Sequence, residues 1–241
     1  MNRLSQQVKQ FKKEMDVYRE NVFLNFIYHK YMEKNQRAKE ILNLKINDPV
    51  RELLGERDLP SNEKFVQNGW CRIMLLRYGL AMHYSKGKKV LETCSGLGWG
   101  AYLLDAVARS ITCVDMDWKC IEFSRKTWKT DRIKYIIGTV LSIPVKDESF
   151  DTVIAMESIE HFTLKDMKIY LDESFRILKA GGFLIGSSAF PETEDEAAAL
   201  CARNKYHLYI STKSQIQDLL KEKKFKKANI FQNRNFFWAQ K

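Results

Sequence analysis

The 241 residues, 45% hydrophobic and 12% aromatic, suffice to bury the core of one α/β domain near the upper end of the single-domain range. No apolar run approaches the roughly 20 residues of a membrane-spanning helix, and the first seven residues lack the apolar core of a signal peptide, so the expected location is the cytoplasm. The net charge of +10 raises nucleic acid as a partner, but the lysines gather at the two ends (Lys9, Lys12, Lys13, Lys30, Lys34, Lys39; Lys221, Lys223, Lys224, Lys226, Lys227) around a nearly balanced middle, with no RNP, KH or helix-turn-helix signature.

Residues 3–35 read as a helix, with Leu4, Val8, Phe11, Met15, Tyr18 and Val22 spaced 4-3-4-3-4. The run is too short for a coiled coil, so it is expected to pack as a cap on its own domain, with dimerisation the alternative. Phe23, Phe26, Ile27, Tyr28 and Tyr31 could roof a substrate pocket or simply pack. A polar connector at 48–61, broken by Pro49 and Pro60, leads into a second helix at 63–84. Residues 1–61 are accordingly read as a helical extension and 62–241 as the main domain. The five cysteines, Cys71, Cys94, Cys113, Cys120 and Cys201, show no C-x-x-C spacing and read as small core residues in a reducing compartment.

Beyond residue 88 the chain alternates regularly: strand 89–92, helix 99–109, strand 111–115, helix 118–129, strand 133–137, strand 150–155, helix 165–178, strand 182–187. Such alternation with apolar strands predicts a parallel, doubly wound sheet covered on both faces, with ligands at the carboxyl ends of its strands. After the first strand, Gly96, Gly98 and Gly100 alternate before a helix-forming run. A loop of this kind turns sharply, lets its backbone approach a ligand and aims helix N–H groups at it. Gly96-Leu-Gly98-Trp-Gly-Ala101 satisfies the dinucleotide fingerprint G-x-G-x-x-G/A as well as the E-x-x-x-G-x-G-x-G of proteins that use S-adenosylmethionine (AdoMet). Glu92 favours the second, because an anion there would repel a pyrophosphate and attract the ammonium of a sulfonium amino acid.

The second strand ends in Asp115, 19 residues after Gly96, where a carboxylate can accept both ribose hydroxyls of an adenosine. Met116 would lie on one adenine face, and Asp117 is read as the N-cap of the next helix. At the end of the fourth strand, Glu157-Ser-Ile-Glu160-His161 concentrates polar groups where an acceptor hydroxyl would meet a methyl donor. His161, with an ordinary pKa near 6.5, is the candidate base, its tautomer held by Glu157 or Glu160, and Glu160 is grouped with it as catalytic.

The run Val90–Gly100, then Val114-Asp115, Ile143-Pro144, Ser149–Val153, Glu157–His161 and Arg176–Gly182 resembles the class I AdoMet-dependent methyltransferases over roughly residues 50–241. Gly55–Arg57, Pro60, Arg77-Tyr78, Gly87-Lys88 and Tyr206-His207 look like a branch associated with polysaccharide and lipopolysaccharide biosynthesis. The resemblance implies a seven-stranded sheet of order 3-2-1-4-5-7-6, a Rossmann-like doubly wound α/β fold with the last strand antiparallel. Phe225–Phe231 and Asn235–Ala239 fit as the closing pair. It also implies that Gly96 and Gly98 contact the methionine part of AdoMet, Asp115 the ribose, and Thr139 with Val140 the adenine edge; Glu92, Gly100, Met116 and Glu157 complete the expected cofactor set. Cys94 and Ser95 depart from the family's usual glycine and cysteine, and Thr139 from its usual aspartate. Glu157-x-x-Glu160-His161, with His207 as a later partner, is similar to a divalent-cation motif of some O-methyltransferases, whose oxygen ligands suit Mg²⁺; no metal ligand set is assigned on the sequence.

The function these features imply is transfer of a methyl group to a small-molecule or glycan acceptor at a hydroxyl oxygen. An RNA methyltransferase using the basic terminal helices and a non-catalytic nucleotide-binding protein of the same fold are the alternatives. The acids of Phe190-Pro-Glu-Thr-Glu-Asp-Glu-Ala197 are read as a loop beside the acceptor mouth that would repel phosphates.

Overall fold

Along each central strand, neighbouring side chains enter different halves of the core: Val90 and Leu91, Cys113 and Val114, Ile154 and Val153, Ile185 and Leu184. That two-residue alternation, apolar on both sides, marks strands covered by helices on both faces. The computed structural model describes residues 22, 25–44, 59–67, 69–231 and 235–241. Its strands are β1 (Lys89–Thr93), β2 (Ser110–Asp115), β3 (Ile133–Ile137), β4 (Phe150–Met156), β5 (Leu178–Ser187), β6 (Lys227–Phe231) and β7 (Phe236–Gln240). They form one sheet of order 3-2-1-4-5-7-6, as expected. β1 to β5 run parallel, and β7 lies antiparallel between β5 and β6.

Besides a helical run at 25–31, the described residues form the helices α1 (Gln36–Asn43), α2 (Glu63–Gln67), α3 (Trp70–Ser85), α4 (Trp99–Leu104), α5 (Trp118–Thr127), α6 (Leu164–Ile177), α7 (Glu194–Ala202) and α8 (Lys213–Glu222). Their starts follow capping chemistry. Asp117 accepts from Lys119 N, as expected of an N-cap, and Thr163 accepts from Asp166 N. Thr193 with Glu196, and Thr212 with Gln215, form reciprocal capping boxes.

Three expectations need correction. The helix expected at 63–84 is two helices, because Gly69 takes a left-handed φ of 75° between α2 and α3. The acids read as a loop at 190–197 instead begin α7, where Glu194, Asp195 and Glu196 occupy the first turn and complement the helix dipole. α8 was not foreseen, although Thr212 and Gln215 signal its start. The heptad-like run from Leu4 to Tyr18 lies outside the described residues. Further on, Ile27 and Tyr31 are buried against α3, with Ile27 beside Gly79 and Tyr31 beside His83, so these two are core packing, whereas Phe26 is exposed and Phe23 lies outside the described residues. No helix among the described residues is long and apolar enough to cross a membrane.

Candidate cofactor and acceptor site

The carboxyl ends of β1, β2, β3 and β4 meet along one edge of the sheet, where doubly wound folds bind ligands. The loop after β1 turns through Cys94 (φ 51°), Gly96 (φ 50°) and Gly98 (φ 69°) before α4 begins. The glycines differ in what demands them. A Cβ on Gly98 would lie 2.6 Å from Ser124 Oγ, and one on Gly100 would lie 2.1 Å from Tyr78 Oη. Gly100 is therefore fixed by the approach of α3, and it has no left-handed φ to explain it.

Asp115 ties this loop to β2. Its Oδ2 accepts from Gly96 N at 2.8 Å and its Oδ1 from Asp117 N at 2.9 Å. A carboxylate oxygen can accept more than one hydrogen bond, so these bonds set its orientation without exhausting its capacity. Met116 beside it is 77% exposed, and Ile137, paired with Asp115 across β2 and β3, is also exposed. Two exposed apolar side chains at adjacent strand ends offer a flat ring something to lie against. Of the residues expected at the adenine edge, Thr139 is exposed and accepts from Leu141 N, whereas Val140 is buried in the core.

Glu92 departs from expectation. It is fully buried behind the loop, accepting from Tyr78 Oη at 2.7 Å with Cys113 Sγ at 3.9 Å from its other oxygen. Burial pushes its carboxyl up to about 7, opposed by the Tyr78 hydrogen bond. The geometry makes Glu92 an internal brace between β1, β2 and α3, and its carboxylate does not reach solvent.

Across the edge, Glu157 follows β4 at a left-handed φ of 46°, unusual for a residue with a Cβ. Its N–H donates to the Ser187 carbonyl, Ser187 Oγ donates to its Oε1 at 2.6 Å, and Arg77 Nη1 lies 2.7 Å away. Arg77 is 2% exposed and stacks 4.9 Å from the Trp70 ring centroid. Arg77 is an edge residue to which the sequence reading gave no role at the site; an arginine flanked by Leu75, Leu76 and Tyr78 in the mostly apolar α3 was its signal.

The two remaining candidates sit in a 3₁₀ turn, Ile159–His161. Glu160 is buried, and burial followed by the charge of Glu157 holds its carboxyl well above the usual range. His161 Nδ1 lies 3.0 Å from the Tyr206 carbonyl. A carbonyl only accepts, so Nδ1 donates and Nε2 carries the lone pair in the neutral ring. The tautomer is thus held by a backbone oxygen 45 residues away, and neither Glu157 nor Glu160 holds it. His207 stands beside it, with ring centroids 5.4 Å apart.

A parallel sheet with one antiparallel closing strand, a glycine loop after β1 and an acid closing β2 define a Rossmann-like doubly wound fold. A family model described as a methyltransferase domain matches residues 91–186. A probable S-adenosylmethionine-dependent methyltransferase of Mycolicibacterium smegmatis is 32% identical over 136 residues, 56% of this chain and 51% of that protein. The fatty-acid O-methyltransferase of the same species is 29% identical over 126 residues, 48% of this chain and 45% of that one. The chain thus spans about half the length of the curated relatives it matches. A SAM dependent methyltransferase structure from Archaeoglobus fulgidus superposes with a TM-score of 0.57 at 15% identity, covering 75% of this chain and all of that one, a likeness of fold. Residues 91–186 are thus similar to the methyltransferase domain of AdoMet-dependent enzymes, and AdoMet is the cofactor this likeness implies.

Proposed function

We propose that the protein transfers the methyl group of AdoMet to a hydroxyl oxygen of a small-molecule or glycan acceptor. The observation that carries this reading is the fixed tautomer of His161, which puts a basic Nε2 at the end of β4, across the sheet edge from the glycine loop. In support, one similar protein is named an O-methyltransferase. The residues divide the work. The Gly96 and Gly98 backbone approaches the methionine moiety, Asp115 accepts from the ribose, Met116 covers an adenine face, and Thr139 with the Val140 backbone borders its edge. Glu157, pinned by Arg77 and Ser187, faces the junction of cofactor and acceptor.

The sulfonium already makes its methyl electrophilic, so the protein has to align an in-line displacement and accept a proton. The acceptor oxygen forms a bond to the methyl carbon as the carbon–sulfur bond breaks. Sulfur keeps the electron pair, leaving S-adenosylhomocysteine, and the hydroxyl proton passes to His161 Nε2.

Calorimetry with S-adenosylhomocysteine and with NAD on one preparation, repeated for Asp115→Ala, tests the cofactor half. Micromolar binding of S-adenosylhomocysteine, lost in the variant, is expected. NAD binding in its place, or binding of neither, refutes the assignment. With the cofactor secured, a radiolabelled-methyl screen of sugars, phenols, fatty acids and RNA tests the acceptor half, and label appearing in RNA alone overturns the small-molecule reading.

A further inference from the structure

A cavity of about 360 Å³ opens where the chain reverses between the helical run at 25–31 and α1. Its walls include Lys30, Lys34 and Arg37 from that reversal, together with Tyr31, Met82 from α3 and Val107 beyond α4. Gly87 N donates to the Val107 carbonyl at 2.8 Å, two residues before β1 begins. The cavity therefore lies where the strands start, at the end of the sheet opposite the candidate cofactor and acceptor site. β1 has 5 residues and spans about 16 Å, so a ligand held here is not the methyl acceptor.

Three cations line the cavity, and among the described residues no acid does. The acids nearby are committed elsewhere. Asp105 is buried between Arg37 and Arg132, Glu40 accepts from the Tyr102 hydroxyl and from Gln36 Nε2, and Glu33 pairs with His29. Lys30 and Lys34 pair with no carboxylate among the described residues, and Lys30 Nζ stands over the Phe26 and Tyr31 rings, 5.2 and 5.1 Å from their centroids. Arg37 is anchored by Asp105 and by the Tyr102 ring, 4.3 Å to its centroid, and its Nη1 has no acceptor among the described residues, so the guanidinium keeps unused donors. Burial, and then the charge of Lys30, hold the His83 imidazole below its usual range, so a neighbouring group already registers the surplus. A cleft lined by one sign of charge raises the local concentration of the opposite ion.

We propose that this cavity binds a small organic phosphate, a phosphate monoester carried on a ring or a short carbon body. Three uncompensated cations select a dianion over a neutral molecule, and lysine ammonium groups meet phosphate oxygens as point charges. The volume is near the small end of ligand pockets, which begin at about 300 Å³. It suits a single phosphorylated metabolite, whereas a polynucleotide would need a basic track running beyond it. Tyr31 and Met82, 8% and 1% exposed, give the cavity an apolar floor against which the carbon body lies. The site stands on these groups alone and does not rest on the methyltransferase reading.

The test titrates the full chain with phenyl phosphate in a calorimeter, with and without S-adenosylhomocysteine, and uses phenol as the probe without a phosphate. One site with a Kd on the order of 100 µM is expected for a probe of this size, the same in both conditions, and no binding of phenol. Lys30→Gln and Lys34→Gln remove charge from exposed side chains, so the fold should be kept. Each should weaken binding by about fivefold, and the double variant by the product of the two. Arg37 is left in place because its pair with Asp105 holds α1. No binding to the wild type, unchanged affinity in the double variant, equal binding of phenol, or displacement of the probe by S-adenosylhomocysteine overturns the proposal. Binding of a single-stranded RNA by a protein that ignores phenyl phosphate overturns it as well, in favour of a polynucleotide track.

Discussion

Glu92 is a carboxylic acid that the fold buries whole, and its protonation is therefore coupled to stability. Its carboxyl is pushed up to about 7 in the folded protein, against about 4.3 in an unfolded chain. Between those values the folded state binds more protons than the unfolded one, so this group's contribution is fully present below about pH 4.3 and is lost as pH rises to about 7. At about 1.36 kcal/mol per pH unit the loss approaches about 3 kcal/mol. Glu92→Gln keeps an acceptor for Tyr78 and removes the titration. Urea midpoints at pH 5 and pH 8 should show the wild type losing more stability than the variant across that interval, and parallel losses would contradict the assignment. The sequence placed Glu92 correctly at the end of β1 but could not show which way it faces. Its side chain points inward because Tyr78, 14 residues earlier, supplies the hydroxyl that makes burial tolerable.

At the scale of elements, α3 joins the carboxyl-end edge of the sheet to Ile27 and Tyr31. Its consecutive residues Arg77 and Tyr78 engage Glu157 and Glu92, the acids that follow β4 and close β1. Tyr78 also packs on Trp99 at a ring distance of 4.6 Å, and its hydroxyl excludes any side chain at position 100. Breaking one member of a buried pair strands the other: Arg77→Met should cost roughly 3 kcal/mol, at the lower end for buried pairs because Glu157 keeps some contact with water. The double variant with Glu157→Gln should recover much of that loss. A double-mutant cycle by urea denaturation measures the coupling, and additive losses would show that the two side chains act independently. The pairings were not legible in advance, since α3 reads as a mostly apolar helix and its partners lie 14 and 80 residues away. By contrast, the helix starts at Asp117 and Thr163 could be read locally, because capping depends only on the next few residues.

For the whole molecule, strand order sets a gradient of local stability. β1 and β4 are paired on both sides at the centre of the sheet, while β3 and β6 are its edges. Alternating apolar strands and a glycine loop made the centre readable, and family resemblance supplied the order of the edges. Residues 204–209, which flank the turn after β4, carry no periodic signal, and their place depends on backbone bonds to Glu160. Native-state hydrogen exchange should follow the same gradient. Amides of Leu91, Val153, Ile154 and Ala155 should open only with global unfolding, and those of Lys134 and Asn229 through cheaper local motions. S-adenosylhomocysteine should then add protection at residues 94–98, 115–117 and 137–140, because a ligand stabilises the segments it touches, and should leave 204–209 nearly unchanged, because the proposed acceptor groups lie across the edge. Protection confined to 157–161 and 204–209 would move the cofactor to the other side of β4 and reverse the division of roles between the two halves of the site.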